Sequence, residues 1–226
     1  MSRYIDVHRS IPLDDGALTM RRIPTIPCLI IGVCALGEAH ATTKGLSQIV
    51  TPDLQPEGQL SLSFQAQGRD IGNPYQLQAE IGLTSWLEVA LFQGLSPSEQ
   101  VFNAQAGLVQ HGPWLLTTGF INWSTRGSNP QPFLEAGYYT PENKWMAGPI
   151  RVHDQTQLLL GWAHDFNETW RFQLDYQSGN ANYFTVGFTC NVTTRLQFNP
   201  AIYFSNGSHT ALGYIVFTYT FPVWTP

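Results

Sequence analysis

The sequence is poor in charged side chains and lacks any long hydrophobic run. Only 12 % of its 226 residues are Asp, Glu, Lys or Arg, and its only lysines are Lys44 and Lys144. Soluble proteins carry about 25 % charged residues, and a membrane-spanning helix requires roughly 20 consecutive apolar residues. The net charge of −5 also provides no basic stripe for nucleic acid. These absences argue against an ordinary soluble domain, a helical membrane protein and a nucleic-acid-binding protein.

The start of the chain has the features of an export signal. An arginine pair precedes an apolar run at residues 26–36, and the small-x-small triplet Ala39-His40-Ala41 follows it. This order of charged, apolar and cleavage regions is typical of a secretory signal peptide. We therefore interpret residues 1–41 as an N-terminal extension plus a signal peptide, with Met20 as the expected start and cleavage after Ala41.

Cysteine is scarce in the exported part of the chain. Cleavage after Ala41 would remove Cys28 and Cys34 and leave Cys190 alone. A single cysteine cannot form an internal disulfide, whereas small secreted domains commonly depend on disulfides. A closed barrel in lipid offers another source of stability, because it satisfies every backbone hydrogen bond.

Alternation of apolar and polar residues with period two dominates residues 59–222, after a polar lead at residues 42–58. This pattern predicts half-buried β-strands. The apolar sets include Leu60, Leu62, Phe64 and Ala66; Tyr75, Leu77, Ala79, Ile81 and Leu83; Phe102, Ala104, Ala106 and Leu108; Trp170, Phe172, Leu174 and Tyr176; Phe184, Val186, Phe188 and Cys190; and Ile215, Phe217, Tyr219 and Phe221.

Turn-forming residues separate these runs, as at Gly72-Asn73-Pro74 and Ser178-Gly179-Asn180. About twelve strands of roughly 10 residues result, which is the length that crosses a bilayer at the tilt of a barrel. The alternate set is rich in amides and hydroxyls, which suits a wet lumen. The sequence therefore predicts an all-β fold, a closed antiparallel up-and-down transmembrane β-barrel of about twelve strands with short turns and apolar side chains facing lipid.

Two prolines and three similar segments lead to more specific expectations. Pro149 and Pro200 lie inside predicted strands, where proline cannot donate a ladder hydrogen bond. We therefore expect a bulge or an early turn at Pro149 and a bulge at Pro200.

The segments at residues 82–89, 166–173 and 191–198 each combine a strand end, a tight polar turn and a new strand. Each turn follows an even-numbered strand, so we expect all three at the same, periplasmic end.

The alternating region up to Phe221 resembles Gram-negative outer-membrane β-barrel proteins. The stretch at residues 56–95, with Leu83-Thr84-Ser85-Trp86-Leu87-Glu88 at its turn, is similar to small outer-membrane transporters named for phenol-degradation clusters. The resemblance implies a location in the outer membrane, with membrane lipid and the barrel-assembly machinery as partners. Such barrels commonly end on a terminal aromatic residue, whereas here residues 222–226 follow Phe221.

The sequence contains no recognisable catalytic, cofactor or metal site. Four histidines beyond the signal lie in or near turns without the spacing of metal ligands, namely His111, His153, His164 and His209. A barrel lipase would require a nucleophile and a base side by side, and Ser124 with His111 provides no sign of that arrangement. We therefore expect no enzyme activity, no cofactor and no metal.

Parity assigns a small set of charged and aromatic side chains to the lumen. The predicted lumen-lining residues are Glu80, Glu88, Glu135, Arg171, Asp175, Arg195, Tyr203 and Tyr214. Four acids against two bases would make a pore weakly cation-selective, because rings of charge set selectivity. Alternatively, the two arginines pair with the acids and close the lumen. The two tyrosines would narrow the bore.

The leading functional hypothesis is a narrow outer-membrane channel or transporter that passes small solutes by passive diffusion. One alternative is a structural outer-membrane barrel with a plugged lumen. Another is a secreted soluble β-sandwich that binds carbohydrate through exposed Trp and Tyr side chains.

Overall fold

The chain forms a closed barrel of antiparallel strands. The computed structural model describes residues 46–127 and 129–225, so the predicted signal peptide lies outside the described residues. The strands are β1 (Gln59–Gln67), β2 (Tyr75–Thr84), β3 (Leu87–Leu95), β4 (Ser98–His111), β5 (Trp114–Ser124), β6 (Gln131–Tyr139), β7 (Asn143–Val152), β8 (Gln155–Asp165), β9 (Trp170–Gln177), β10 (Tyr183–Asn191), β11 (Leu196–Ser205) and β12 (Ala211–Pro222). Each strand pairs with its sequence neighbours, and β1 pairs with β12. The predicted fold class and strand number are confirmed.

The apolar set of each alternating run faces outward. Leu62 and Phe64 of β1 and Phe217 of β12 are exposed on the outer surface, whereas Ser61 and Thr218 beside them are buried inside the barrel. An outer face covered with Leu, Phe and Trp suits hydrocarbon, because a polar solvent would not stabilise it. The predicted orientation is therefore confirmed. A soluble β-sandwich is excluded, because one closed sheet replaces the two packed sheets of a sandwich. Within the described residues, no helix has the length and apolarity needed to cross a membrane.

The two ends of the barrel differ in what they carry. The end at which β1 begins and β12 ends, here called the terminal end, also carries the turns after β2, β8 and β10. The expectation that these three turns share one end is confirmed. Most tryptophans cluster there, and they are Trp86, Trp114, Trp145, Trp162, Trp170 and Trp224. Amphipathic rings favour a membrane–water interface. The opposite end is called the loop end.

Both strand prolines lie within continuous strands. In the ladder between β6 and β7, Phe133 pairs with Ile150 and Ala136 pairs with Ala147, but the positions between them, which include Pro149, are unpaired. The register is the same on both sides of this interruption. The expected bulge or early turn at Pro149 was therefore wrong. Pro200 likewise lacks a partner on β10 but keeps Ile215 on β12, again without the expected bulge. Each proline removes one donor from one ladder, and the closed barrel tolerates the gap.

Candidate functional site: the lumen and its internal segment

Residues 46–57, which precede β1, run inside the barrel and are called the lumen segment. The segment begins against β9 at Ser47 and ends at the terminal end, where Glu57 forms a parallel bridge with Gly82 of β2. The backbone N–H of Gly58 then donates to the carbonyl of Gly82 at 2.9 Å. This stretch belongs to the predicted polar lead at residues 42–58, and its sequence did not predict that it enters the lumen.

Asp175 of β9 anchors the start of the lumen segment. Its carboxylate accepts hydrogen bonds from the backbone N–H groups of Ser47 at 2.7 Å and Gln48 at 3.2 Å. The side chain of Gln173 donates to Ser47 Oγ at 3.0 Å, and the Tyr203 hydroxyl donates to the Ser47 carbonyl. Hydrogen bonds to a charged group contribute about 1.5–3 kcal/mol each. This carboxylate is therefore a strong attachment point between the wall and the segment.

The rest of the lumen segment is bonded to other strands of the wall. The hydrogen bonds run from Gln105 Nε2 to the Thr51 carbonyl (2.7 Å), from the Tyr139 hydroxyl to Asp53 Oδ1 (2.8 Å), from the Gln55 backbone N–H to Glu88 Oε2 (2.6 Å) and from Gln55 Nε2 to Ser61 Oγ (2.8 Å). Lys144 Nζ also lies 3.7 Å from Asp53 Oδ2. The segment thus contacts the wall along its length, and it is not attached at one end alone.

One part of the lumen wall is apolar, and the lumen segment covers it. The apolar lumen patch comprises Phe133, Met146, Ile150, Leu159 and Ala163, all buried, on β6, β7 and β8. Leu46 and Ile49 of the segment pack against it. Burying a Leu or Ile side chain contributes about 1.5–3 kcal/mol. The patch and the segment therefore form a small hydrophobic core inside the lumen.

Inward-facing glycines make room for the lumen segment on every even-numbered strand up to β10. They are Gly82, Gly107, Gly137, Gly161 and Gly187. A Cβ atom at Gly161 would lie 2.7 Å from Leu46 Cδ1, and one at Gly187 would lie 2.6 Å from Ser47 Oγ. One at Gly82 would lie 2.3 Å from the Gln55 carbonyl oxygen. Larger side chains at these places would collide with the segment.

A cavity of about 640 Å³ lies on the loop-end side of the lumen segment and is called the loop-end cavity. One side of it is an amide wall, formed by Gln65 and Gln67 of β1 and Gln76 and Gln78 of β2. Gln78 Nε2 donates to Gln65 Oε1 at 2.6 Å, and Gln65 Nε2 donates to Gln67 Oε1 at 2.9 Å. Amides both donate and accept hydrogen bonds, so this wall can bind neutral polar groups.

A second cavity, of about 770 Å³, lies on the terminal-end side and is called the terminal-end cavity. Its lining includes Asp53, Leu54 and Glu57 of the lumen segment together with Trp86 and Tyr139. The two cavities have no lining residue in common. The lumen segment therefore contributes to both cavities and lies between the two sets of lining residues.

Several predicted lumen residues lie on the inner face of the barrel. Glu80, Glu88, Tyr203 and Tyr214 line the loop-end cavity, and Asp175 is 2 % exposed under the lumen segment. The ring centroids of Tyr203 and Tyr214 are 5.3 Å apart, and Tyr183 lies 5.4 Å from Tyr203. The three tyrosines therefore form a cluster in the lining of the cavity.

The remaining three predicted residues do not line the loop-end cavity, although Glu135 and Arg171 share the inward parity of Phe133 and Gln173. Glu135 of β6 is fully buried and does not line the loop-end cavity. Arg171 forms its ion pair with Asp165 of β8, with Nε 2.5 Å from Oδ1, and Asp165 was not among the predicted lumen acids. Arg195 lies in the turn between β10 and β11, and its carbonyl accepts a hydrogen bond from the Thr220 backbone N–H.

Sequence reasoning missed two kinds of lumen residue. Glu99 lines the loop-end cavity and accepts a hydrogen bond from Ser124 Oγ at 2.5 Å. It has the same parity as Asn103 and Gln105, but the predicted strand began after it. The second omission is the glycine pattern, which repeats on alternate strands and was visible in the sequence as small residues at lumen positions.

The described residues contain no group of three or more His, Cys, Asp or Glu side chains arranged to hold a metal ion. Cys190 is a free thiol on the outward face of β10. What the lumen offers chemically is a set of amides, hydroxyls and carboxylates around two cavities, which suits binding and passage of polar solutes.

Comparisons with known proteins identify the fold. No family model matches the sequence, and no curated protein matches it. A KdgM porin in complex with disordered oligogalacturonate has a TM-score of 0.54 at 12 % identity, covering 72 % of this chain and 99 % of that porin. A KdgM porin alone gives 0.52 at 11 % identity, with the same coverages. A NanC porin gives 0.48 at 8 % identity, covering 72 % of this chain and 98 % of that porin. The chain therefore has the barrel fold of the KdgM porin.

Proposed function

We propose that the protein is an outer-membrane channel that passes small polar solutes by passive diffusion. The observation that carries the proposal is the polar loop-end cavity of about 640 Å³ inside a barrel with an apolar outer face. In a membrane-spanning barrel, a polar lumen offers solutes a route that avoids hydrocarbon. The shared fold with the KdgM porin supports the same role. Membrane lipid and the barrel-assembly machinery are the partners that such a barrel requires.

The charges of the loop-end cavity favour neutral or cationic solutes. Its lining includes the carboxylates of Glu80, Glu88 and Glu99, and no described lining residue is Lys, Arg or His. Like charges raise the barrier to an ion, so this lining disfavours anions. The related KdgM porin was solved with oligogalacturonate, which is a polyanion. The lining of the present cavity fits small neutral sugars or polyols better, because the amide wall can bond hydroxyl groups.

Two measurements on the detergent-extracted and reconstituted protein test this function. In planar bilayers with a KCl gradient, the reversal potential should show a preference for K⁺. In liposome-swelling assays, glucose should enter faster than glucuronate, which has a similar size but carries a negative charge. Absence of conductance and of swelling, or a clear preference for anions, would contradict the proposal.

A double variant identifies the groups responsible for the preference. Glu80→Gln combined with Glu99→Gln neutralises two lining carboxylates and should remove roughly half of the reversal potential or more, because these charges act directly on the permeating ion. Glu168→Gln is the matched control, because Glu168 is exposed in the turn between β8 and β9. An equal shift in the control would assign the effect to surface charge instead of the lumen.

A further inference from the structure

We propose that the lumen segment, residues 46–57, is the barrier that sets the permeability of this channel. The inference rests on the proposed function and adds one element to it. The wall strands supply the polar environment, whereas a stretch of chain that belongs to no strand decides how much of the lumen is open.

The position of the segment is the first argument. Residues 46–51 line the loop-end cavity, and residues 52–57 line the terminal-end cavity. The two cavities share no lining residue. A solute that travels from one end of the barrel to the other must therefore pass beside the segment, whose bulk limits the size of the solute.

The second argument is that the barrel wall has two features that fit the segment, namely small residues beside it and an apolar patch beneath it. Five inward glycines occupy alternate strands where any side chain would meet residues 46–56. The apolar lumen patch would face water if Leu46 and Ile49 left it, and contact between apolar surface and water is unfavourable. An unobstructed porin needs neither feature. Both are explained if the segment stays in the lumen while solutes pass.

The attachment of the segment is the third argument. Asp175 and Glu88 accept hydrogen bonds from backbone N–H groups of Ser47, Gln48 and Gln55. These carboxylates hold the two halves of the segment to opposite parts of the wall, on β9 and β3. A chain fixed at both halves acts as a lasting constriction, because thermal motion of one half does not free the other.

Deletion of residues 46–55 tests the barrier directly. The variant keeps all twelve strands and residues 56–58, so the entry to β1 is retained. We expect its single-channel conductance to exceed that of the wild type several-fold, and sugars larger than those admitted by the wild type should enter liposomes. Wild-type conductance that is measurable and unchanged by the deletion would overturn the barrier and leave the channel function intact.

The other outcomes also discriminate between the two proposals. A silent wild type with a conducting deletion variant would support the barrier and contradict passive diffusion through the intact protein. Silence of both proteins would contradict the barrier and the channel together, because removal of the segment would then have opened nothing.

A thiol-labelling experiment keeps the inference testable if the deletion variant fails to assemble. Gln48 lines the loop-end cavity, so Gln48→Cys places a thiol at the proposed constriction. Reaction with a positively charged methanethiosulfonate reagent should lower the conductance by half or more, because added bulk and charge narrow the route for cations. The wild type is the matched control, since its Cys190 faces outward. Labelled Gln48→Cys channels that conduct like unlabelled ones would overturn the inference.

Discussion

Two regions of the lumen wall obey the same alternation but differ in chemistry. On β1 and β2, the inward positions are the amide wall, which borders open space. On β6, β7 and β8, five of the inward positions form the apolar lumen patch, which is covered by Leu46 and Ile49. Polar side chains remain satisfied in water, whereas an apolar patch is stable only when something covers it. The contrast shows why the chain covers the apolar part of its lumen wall and leaves space beside the amide wall.

The largest effect on conductance is expected from disrupting the contact between the lumen segment and the apolar lumen patch. Ile49→Asp would place a carboxylate in the cluster formed with the apolar lumen patch, and desolvation of an unpaired charge costs several kcal/mol. We expect the start of the lumen segment to leave the patch and the conductance to rise toward that of the deletion variant, as measured in planar bilayers. Ile49→Val is the control and should behave like the wild type. A conductance of Ile49→Asp equal to that of Ile49→Val would mean that the apolar contact does not position the segment.

A smaller effect, on stability, is expected from adding a side chain where the wall and the lumen segment pack closely. Gly161→Ala adds a methyl group 2.6 Å from Met146 Cγ and 2.7 Å from Leu46 Cδ1, and overpacking of this kind costs about 1–3 kcal/mol. The urea midpoint for unfolding in lipid vesicles, followed by tryptophan fluorescence, should fall. Gly213→Ala is the matched control, because a Cβ at Gly213 meets nothing within 4 Å. Equal midpoints for the two variants would contradict a tight fit between segment and wall.

The smallest effect is expected on the open side. Gln78→Leu removes the donor to Gln65, but water in the cavity can replace it, so stability should change by about 1 kcal/mol or less. Sugar uptake into liposomes should slow modestly, because one hydrogen-bonding group of the amide wall is lost. Gln93→Leu, on the outward face of β3, should leave uptake unchanged. A loss of stability as large as that expected for Gly161→Ala would show that the two sides of the lumen are not distinct.

Much of the barrel wall could be predicted, because the alternation within each strand indicates which of its side chains face outward. The period-two pattern around Leu62 and Phe217 correctly predicted which side chains face outward, and Glu80 and Tyr203 follow from the same parity. Glu99 was missed because the start of a strand is decided by pairing with its neighbours, here Gly94 of β3, and not by its own residues. The expectations of bulges at Pro149 and Pro200 failed for a related reason. Each proline leaves one hydrogen bond of one ladder unmade, and the paired strands keep their register without it.

By itself, the sequence determined a closed sheet with an oily exterior and a polar interior, because alternation is a local property that each strand carries independently. Only the tertiary structure decided where residues 46–57 lie. Nothing in their composition distinguishes a polar lead outside the barrel from a segment inside it. Their position follows from contacts with residues far along the chain, such as that of Ser47 with Asp175, and such contacts exist only in the folded barrel.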